Sequence, residues 1–292
     1  MEILEYTAFS DGPNGGNPAG VVLDASGASA EEMQETAREV GYSETVFLQP
    51  VDGGLQARYF SPKVEVPFCG HATIAAAVAY AERHGTGSML LRTQAGSVAV
   101  GTSRTSDDTV SATLTSVVPK TATLPPQILD SLLRAFGWTA AVLDPALPAK
   151  AAYAGAWHPV IGVDTRARLA ELRYDMDVLA PLMARQGWAT VNVVWRAQPR
   201  VFFARNPFPP GGVYEDPATG AAAAALGGYL REFSLLAVPA RIEVFQGQDM
   251  GRPSRILVDV PAEPESGIAV TGTARPVHSP NDPYGQPSQS AI

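Results

Sequence analysis

Apolar and polar positions alternate over residues 3–9, and after the turn-rich stretch 11–18 the apolar run 19–23 resumes, which predicts a hairpin with a long loop. The period then changes. Met33, Ala37 and Val40 fall on one face of a helix over residues 30–40, with Ser29 and Glu32 spaced as a capping box and Gly41 at the end. Residues 43–48 read as a strand in which Glu44 shares a face with Val46 and Leu48, and residues 55–60 as the next strand. Strong helix formers fill residues 74–84 and stop at Gly85, so Gly70 and His71 lie at a helix N-terminus. Strands follow at 88–93, 97–100 and 109–114, then a crossing linker at 119–126 and a helix over 127–136 between Pro126 and Gly137. The rest of the chain repeats the theme. Strands are expected at 157–163, 190–195, 200–204, 242–247 and 255–260, with helices at 179–185 and 221–231. A last strand near 268–275 returns toward the first half, and residues 276–292, rich in Pro, Ser, Asn, Asp and Gln, read as a disordered tail.

One junction occurs twice. Residues 58–62, starting at Arg58, lead to Glu65, Pro67 and Gly70; residues 200–204, starting at Arg200, lead to Glu215, Pro217 and Gly220. Glu, Pro and Gly keep the same mutual spacing, and an Ala-rich helix follows each Gly. The first backbone N–H groups of a helix lack intrahelical partners and carry partial positive charge, so each junction is a cradle for an anion as well as a tight strand-to-helix turn. Two copies predict two halves of one design.

Composition narrows the function. The 292 residues suit two domains of ordinary size, and 46% hydrophobic residues are enough for globular cores. A net charge of -8 argues against nucleic acid and acidic membranes as partners. No apolar run approaches the roughly 20 residues of a membrane span, and Glu2 and Glu5 are unlike the basic start of a signal peptide, so a cytoplasmic location is expected. Cys69 is the single cysteine, which excludes an intrachain disulfide and a multi-Cys metal site. No Gly-rich nucleotide signature, metal-ligand cluster or Ser nucleophile elbow stands out, and neither metal nor cofactor is expected.

Four motifs in order, Asn17-Pro18-Ala19-Gly20-Val21-Val22-Leu23, Ser43-Glu44-Thr45-Val46-Phe47, Pro67-Phe68-Cys69-Gly70-His71-Ala72-Thr73 and Glu215-Asp216-Pro217-Ala218-Thr219-Gly220, resemble those of the PhzF-like isomerases from about Glu2 to about Arg275. The resemblance implies a diaminopimelate epimerase-like α+β fold: two pseudo-symmetric halves, each a curved sheet around a central helix, with the active site between them. It places residues 1–118 in the first half and 119–266 in the second, and it implies a homodimer. It also implies Glu44 as general acid/base, His71 and Asp216 as further catalytic residues, and substrate contacts at Asn17, Gly70, Gly220 and Ala221.

The residues themselves leave more open. Asn17 could point into a cleft or form a turn before proline. Glu44 could be a desolvated carboxyl with a raised pKa or a solvent-facing strand end. His71 could bind substrate or cap local backbone, and Asp216 could serve the site, cap the helix after Pro217, or both. Counting thiols decides one point: a two-cysteine epimerase or racemase mechanism is impossible within one protomer. A proton moved between carbons on one face of a conjugated acid needs one mobile base, and Glu44 fits that task. A one-thiol epimerase pairing Cys69 with a carboxylate and a non-catalytic carboxylate-binding protein are the rivals. Ala221 stands where many PhzF-like relatives place a serine, so trans-2,3-dihydro-3-hydroxyanthranilate, the phenazine precursor, is not assumed as substrate.

Overall fold

The period-two segments become strands, and the two Ala-rich segments become buried helices around which the strands curl. The structure, a computed structural model, describes residues 1–277. The first set of elements is β1 (Leu4–Ala8), β2 (Asn17–Val22), α1 (Ala30–Val40), β3 (Thr45–Val51), β4 (Gly54–Phe60), β5 (Glu65–Val66), α2 (Gly70–His84), β6 (Ser88–Thr93), β7 (Gly96–Arg104) and β8 (Val110–Thr115). The second is β9 (Lys120–Thr123), α3 (Pro126–Ala135), β10 (Lys150–Tyr153), β11 (Trp157–Gly162), α4 (Arg166–Ala170), α5 (Met176–Gln186), β12 (Asn192–Gln198), β13 (Val201–Pro207), β14 (Glu215–Asp216), α6 (Gly220–Glu232), β15 (Ala240–Gln246), β16 (Ser254–Val260) and β17 (Ala269–Pro276).

Strand pairing repeats. β2 runs parallel to β3 as β11 does to β12, and β4 runs parallel to β6 as β13 does to β15. The antiparallel pairs β1–β2, β3–β4, β4–β5, β6–β7 and β7–β8 recur as β10–β11, β12–β13, β13–β14, β15–β16 and β16–β17. The two curved sheets join through β17, which pairs with β16, with β8, and through Ala274, Arg275 and Pro276 with β1. The fold is therefore α+β with two pseudo-symmetric halves, each a curved sheet about one helix.

Small side chains make that arrangement possible. Ala72, Ala75, Ala76, Ala77, Ala79 and Ala81 of α2 are all buried, as are Ala222 to Ala225 of α6, because a helix enclosed by a curved sheet must be apolar all round and narrow. At Gly228 an added Cβ would lie 2.3 Å from Pro119, so glycine is the residue that lets the chain before β9 cross α6. Outside the sheets, Met33 and Ala37 of α1 pack with Phe47 and Phe60, and Leu132, Leu179 and Met183 of α3 and α5 pack with Trp138 and Trp188. Ser29 and Glu32 form the expected capping box, and Gly41 ends α1 in the left-handed region at φ 74.

The linker expected over 119–126 is in part a strand: β9 pairs antiparallel with β10, which satisfies the edge that β10 would otherwise expose. Pro276 is not tail but the end of β17, and Val277 N–H donates to Glu5 O at 2.8 Å. The remainder of the expected tail, residues 278–292, lies outside the described residues. Among the described residues no helix is long and apolar enough to cross a membrane.

Candidate active site

Glu44 sits immediately before β3, its carbonyl accepting from Gly20 N–H at 3.2 Å. Its side chain is 15% exposed, and Oε2 lies 3.5 Å from Nε2 of His71, the second residue of α2. Ser43 Oγ is also 3.5 Å from that nitrogen. Nδ1 of the same ring lies 3.3 Å from Sγ of buried Cys69, which is 3.9 Å from Nε2. Thiol, imidazole and carboxylate thus gather within 4.8 Å, a set of metal-ligand type that no spacing motif announces because Glu44 comes from a separate element. The sulfur is almost as near one ring nitrogen as the other. It therefore lies against the side of the ring, off the lone-pair axis of either nitrogen, a packing contact better than a ligand geometry.

The second half supplies Asp216 from β14. Its Oδ1 accepts from Asn17 Nδ2 at 2.7 Å and its Oδ2 from Thr219 Oγ1 at 2.6 Å. Gln246 completes the cage, donating to the Asp216 carbonyl at 2.7 Å and accepting from Thr219 N–H at 3.1 Å. Burial pushes the Asp216 carboxyl up to about 6; the charge of His71 and the Thr219 and Asn17 donors pull it down, and the charge of Glu44 pushes it further up. Burial and then the charge of Glu44 also hold the Cys69 thiol well above its ordinary range, with Asp216 adding to the effect. These mutual influences place Glu44, Cys69, His71 and Asp216 in one electrostatic neighbourhood. Asp216 does not cap α6, contrary to one option read from the sequence. The helix starts at Gly220 with Thr219 at its N-cap and no side-chain cap bond, and Pro217 lies before the helix rather than opening it.

The doubled junction is real, but its arginines align differently from the sequence match. Tyr59 faces Val66 as Asn206 faces Asp216, so the counterpart of Arg58 is Arg205, one residue before the paired position, and not Arg200. Arg58 donates to Glu65 through Nε and Nη2, both at 2.7 Å; Arg205 donates to Glu215 through Nε and Nη2 and adds the carbonyls of Leu169, Ala170 and Leu172. Arg200 is exposed at the turn before β13. The same registers show where the halves part. Thr45 faces Gly20 at the start of the β2–β3 pairing as Asn192 faces Val160, so Glu44 corresponds to buried Val191, while Asp216 corresponds to Val66. Each half contributes one acid, from a different position.

Among the described residues, no side chain or carbonyl accepts from the backbone N–H groups of Gly70, His71, Gly220 or Ala221 at the two helix starts. Gly220 is buried and Ala221 half-buried. An open cleft of about 770 Å³ is lined by Asn17, Ser43 and Asp216 together with Tyr42, Arg173 and Arg252, and by none of these four helix-start residues. Glu44 and His71 are not part of its lining and adjoin it through Ser43.

The profile of the family described as phenazine biosynthesis-like protein (PhzC-PhzF) matches residues 6–279. The chain belongs to the PhzF-like family. With that membership it stands among isomerases: trans-2,3-dihydro-3-hydroxyanthranilate isomerase of Pseudomonas chlororaphis is 34% identical over 251 residues, covering 85% of this chain and 86% of that protein. A Bacillus anthracis phenazine biosynthesis protein of the PhzF family superposes with a TM-score of 0.83 at 26% identity, covering 95% of this chain and 98% of that one. A probable proline racemase from Agrobacterium radiobacter, 14% identical with a TM-score of 0.63 and covering 97% of this chain and 94% of its own, shares the fold.

Sequence reasoning missed Gln246, Ser43, Arg173 and Arg252. Ser43 and Thr219 stand inside recognised motifs, so proximity to Glu44 and Asp216 was the available signal. Gln246 ends a strand with no local mark, and only the parallel pairing of β15 with β13 brings it beside β14.

Proposed function

We propose that this PhzF-like chain is a cofactor-independent isomerase that moves a proton within a small carboxylic acid, with Glu44 as the mobile general acid/base. The observation that carries the reading is the placement of Glu44 beside His71 at the start of α2, in the same neighbourhood as Asp216 of β14. The substrate carboxylate would take the N–H groups of Gly70, His71, Gly220 and Ala221, where helix fields stabilise an anion by about 0.3 to 2 kcal/mol each. Glu44 would remove a proton from one carbon, the electron pair would pass into the conjugated system of the acid, and the same carboxyl would return the proton to another carbon on that face. His71 would hold the substrate and share its charge, and Asp216, oriented by Asn17 and Thr219, would face it from the other half. Ala221 offers no hydroxyl, so the ring acid named for the Pseudomonas chlororaphis relative is one candidate substrate among conjugated carboxylic acids.

The test is solvent deuterium incorporation into a panel of small carboxylic acids, read by NMR. Glu44→Gln should lower incorporation by about a hundredfold or more while leaving the thermal transition in place, because the amide keeps the shape and loses the base. Incorporation near the wild-type rate would remove Glu44 from the chemistry. We further propose a homodimer, on family grounds; a monomer mass by light scattering at micromolar concentration would refute it.

A further inference from the structure

The cleft that reaches Asn17 and Asp216 has as many arginines as acids in its lining, three of each, but they are not paired one to one. Three carboxylates line it. Glu215 is taken by Arg205 at 2.6 Å, Asp249 by Arg166 at 2.9 Å, and Asp216 is buried and caged by Asn17 and Thr219. Two further arginines, Arg173 and Arg252, line the same cleft, and among the described residues neither pairs with a carboxylate. Arg173 gives one Nη1 bond to the Leu172 carbonyl at 3.0 Å, and Nε of Arg252 is buried with no acceptor. In a protein of net charge -8, Arg173 and Arg252 are thus two cations of the cleft wall left without a carboxylate partner beside the candidate site.

Arg252 is also held in place. Its N–H donates to the Gly247 carbonyl at 2.9 Å, and the next carbonyl, that of Pro253, accepts from Asp11 N–H at 3.0 Å and Gly16 N–H at 3.1 Å. A Cβ on Gly247 would meet the Arg252 carbonyl at 2.2 Å and the Pro217 carbonyl at 2.8 Å, so the loop lies tight against the residue that follows Asp216. The backbone that carries Arg252 is thus fixed on both sides, which roots its side chain at the cleft wall.

We infer that Arg252, with Arg173, forms a second anion subsite at the cleft mouth, and that the acid isomerised carries a second anionic group, carboxylate or phosphate, distal to the carboxyl held at the helix starts. This rests on the proposed function for the position of the first carboxyl. The cleft of about 770 Å³ holds the arginine end, and Asn17, Ser43 and Asp216 in its wall connect it to the helix starts, which do not themselves line it. Planar guanidinium forks suit carboxylate and phosphate alike, so the chemistry is shared by both groups.

Calorimetry with matched probes tests it: succinate against butyrate, glutarate against pentanoate, adipate against hexanoate, and 3-phosphonopropionate against succinate to separate phosphate from carboxylate. At least one diacid should bind about tenfold tighter than its monoacid, the effect of one charge-assisted contact. Arg252→Gln should bring that ratio close to one, Arg173→Gln should lower it, and Arg252→Lys should restore part of it. Equal affinities for diacid and monoacid throughout the wild-type series, no binding of any probe at millimolar concentration, or a ratio unmoved by Arg252→Gln would each overturn the subsite. Diacid selectivity that depends on Arg252 without deuterium incorporation into any acid would leave the subsite standing and remove the isomerase reading. Incorporation that depends on Glu44 together with equal affinities would do the reverse.

Discussion

Asn17 and Asp216 lie 199 residues apart in the chain and meet through a 2.7 Å hydrogen bond in which the amide of one half donates to the buried carboxylate of the other. Asn17 opens β2 and also donates to the Ala218 carbonyl at 3.2 Å, so one side chain fixes both the acid and the turn that leads into α6. The bond joins the two halves where the candidate site lies.

A pH dependence follows from the Asp216 environment. Its folded-state pKa is raised from 3.8 to about 6, chiefly by burial, so the protonated form is the one the fold favours. The stability this contributes is present at low pH and is lost as pH rises through about 6, an effect of about 3 kcal/mol. Stability of wild type minus that of Asp216→Asn should therefore fall between pH 4 and 7; buried His158, pushed down to about 3 by burial, has the opposite slope in both proteins and cancels in the difference. Asn17→Ala removes a donor that favours the anion, so it should shift the Asp216 window to higher pH and cost roughly 1 to 3 kcal/mol. Urea denaturation across pH measures both, and a window unmoved by Asn17→Ala would show that the bond does not tune the carboxyl.

Cys69 should be dispensable for turnover. Its thiol is buried and held well above its ordinary range, chiefly by burial, so at neutral pH it is neither a nucleophile nor a base. Cys69→Ala is expected to keep most of the activity, and the native thiol should react with iodoacetamide far more slowly than the unfolded one. Loss of all activity with an unchanged thermal transition would favour a thiol mechanism.

The two arginine–glutamate pairs should differ in weight. Arg205 and Glu215 side chains are 5% and 3% exposed, whereas those of Arg58 and Glu65 are 22% and 21% exposed. Glu215→Ala strands a buried guanidinium and should cost roughly 3 to 5 kcal/mol. Glu65→Ala leaves a cation that water can reach and should cost about 1 kcal/mol. Equal losses in chemical denaturation would mean that burial does not set the strength of the repeated pair.

Local physics is what the sequence could carry by itself. Side-chain period fixed the strand and helix types, the capping box at Ser29 and Glu32 fixed a helix start, and the repeated Glu-x-Pro-x-x-Gly spacing announced two halves. The count of one cysteine excluded a paired-thiol mechanism within one protomer. Everything that depends on partners far along the chain was decided by tertiary structure. β9 looked like linker because four residues beside prolines carry little pattern, and its partner β10 begins at Lys150. Arg200 and Arg205 are equally plausible from spacing, and only the register of β13 against β14 selects Arg205. The meeting of Glu44 with His71, the Asn17–Asp216 bond and the unpaired arginines of the cleft all join separate elements. Strand and helix type follow from neighbours within a few residues, whereas a site between two curved sheets is set by how those sheets close, and closure here depends on β17 pairing with β8 and β1 across most of the chain.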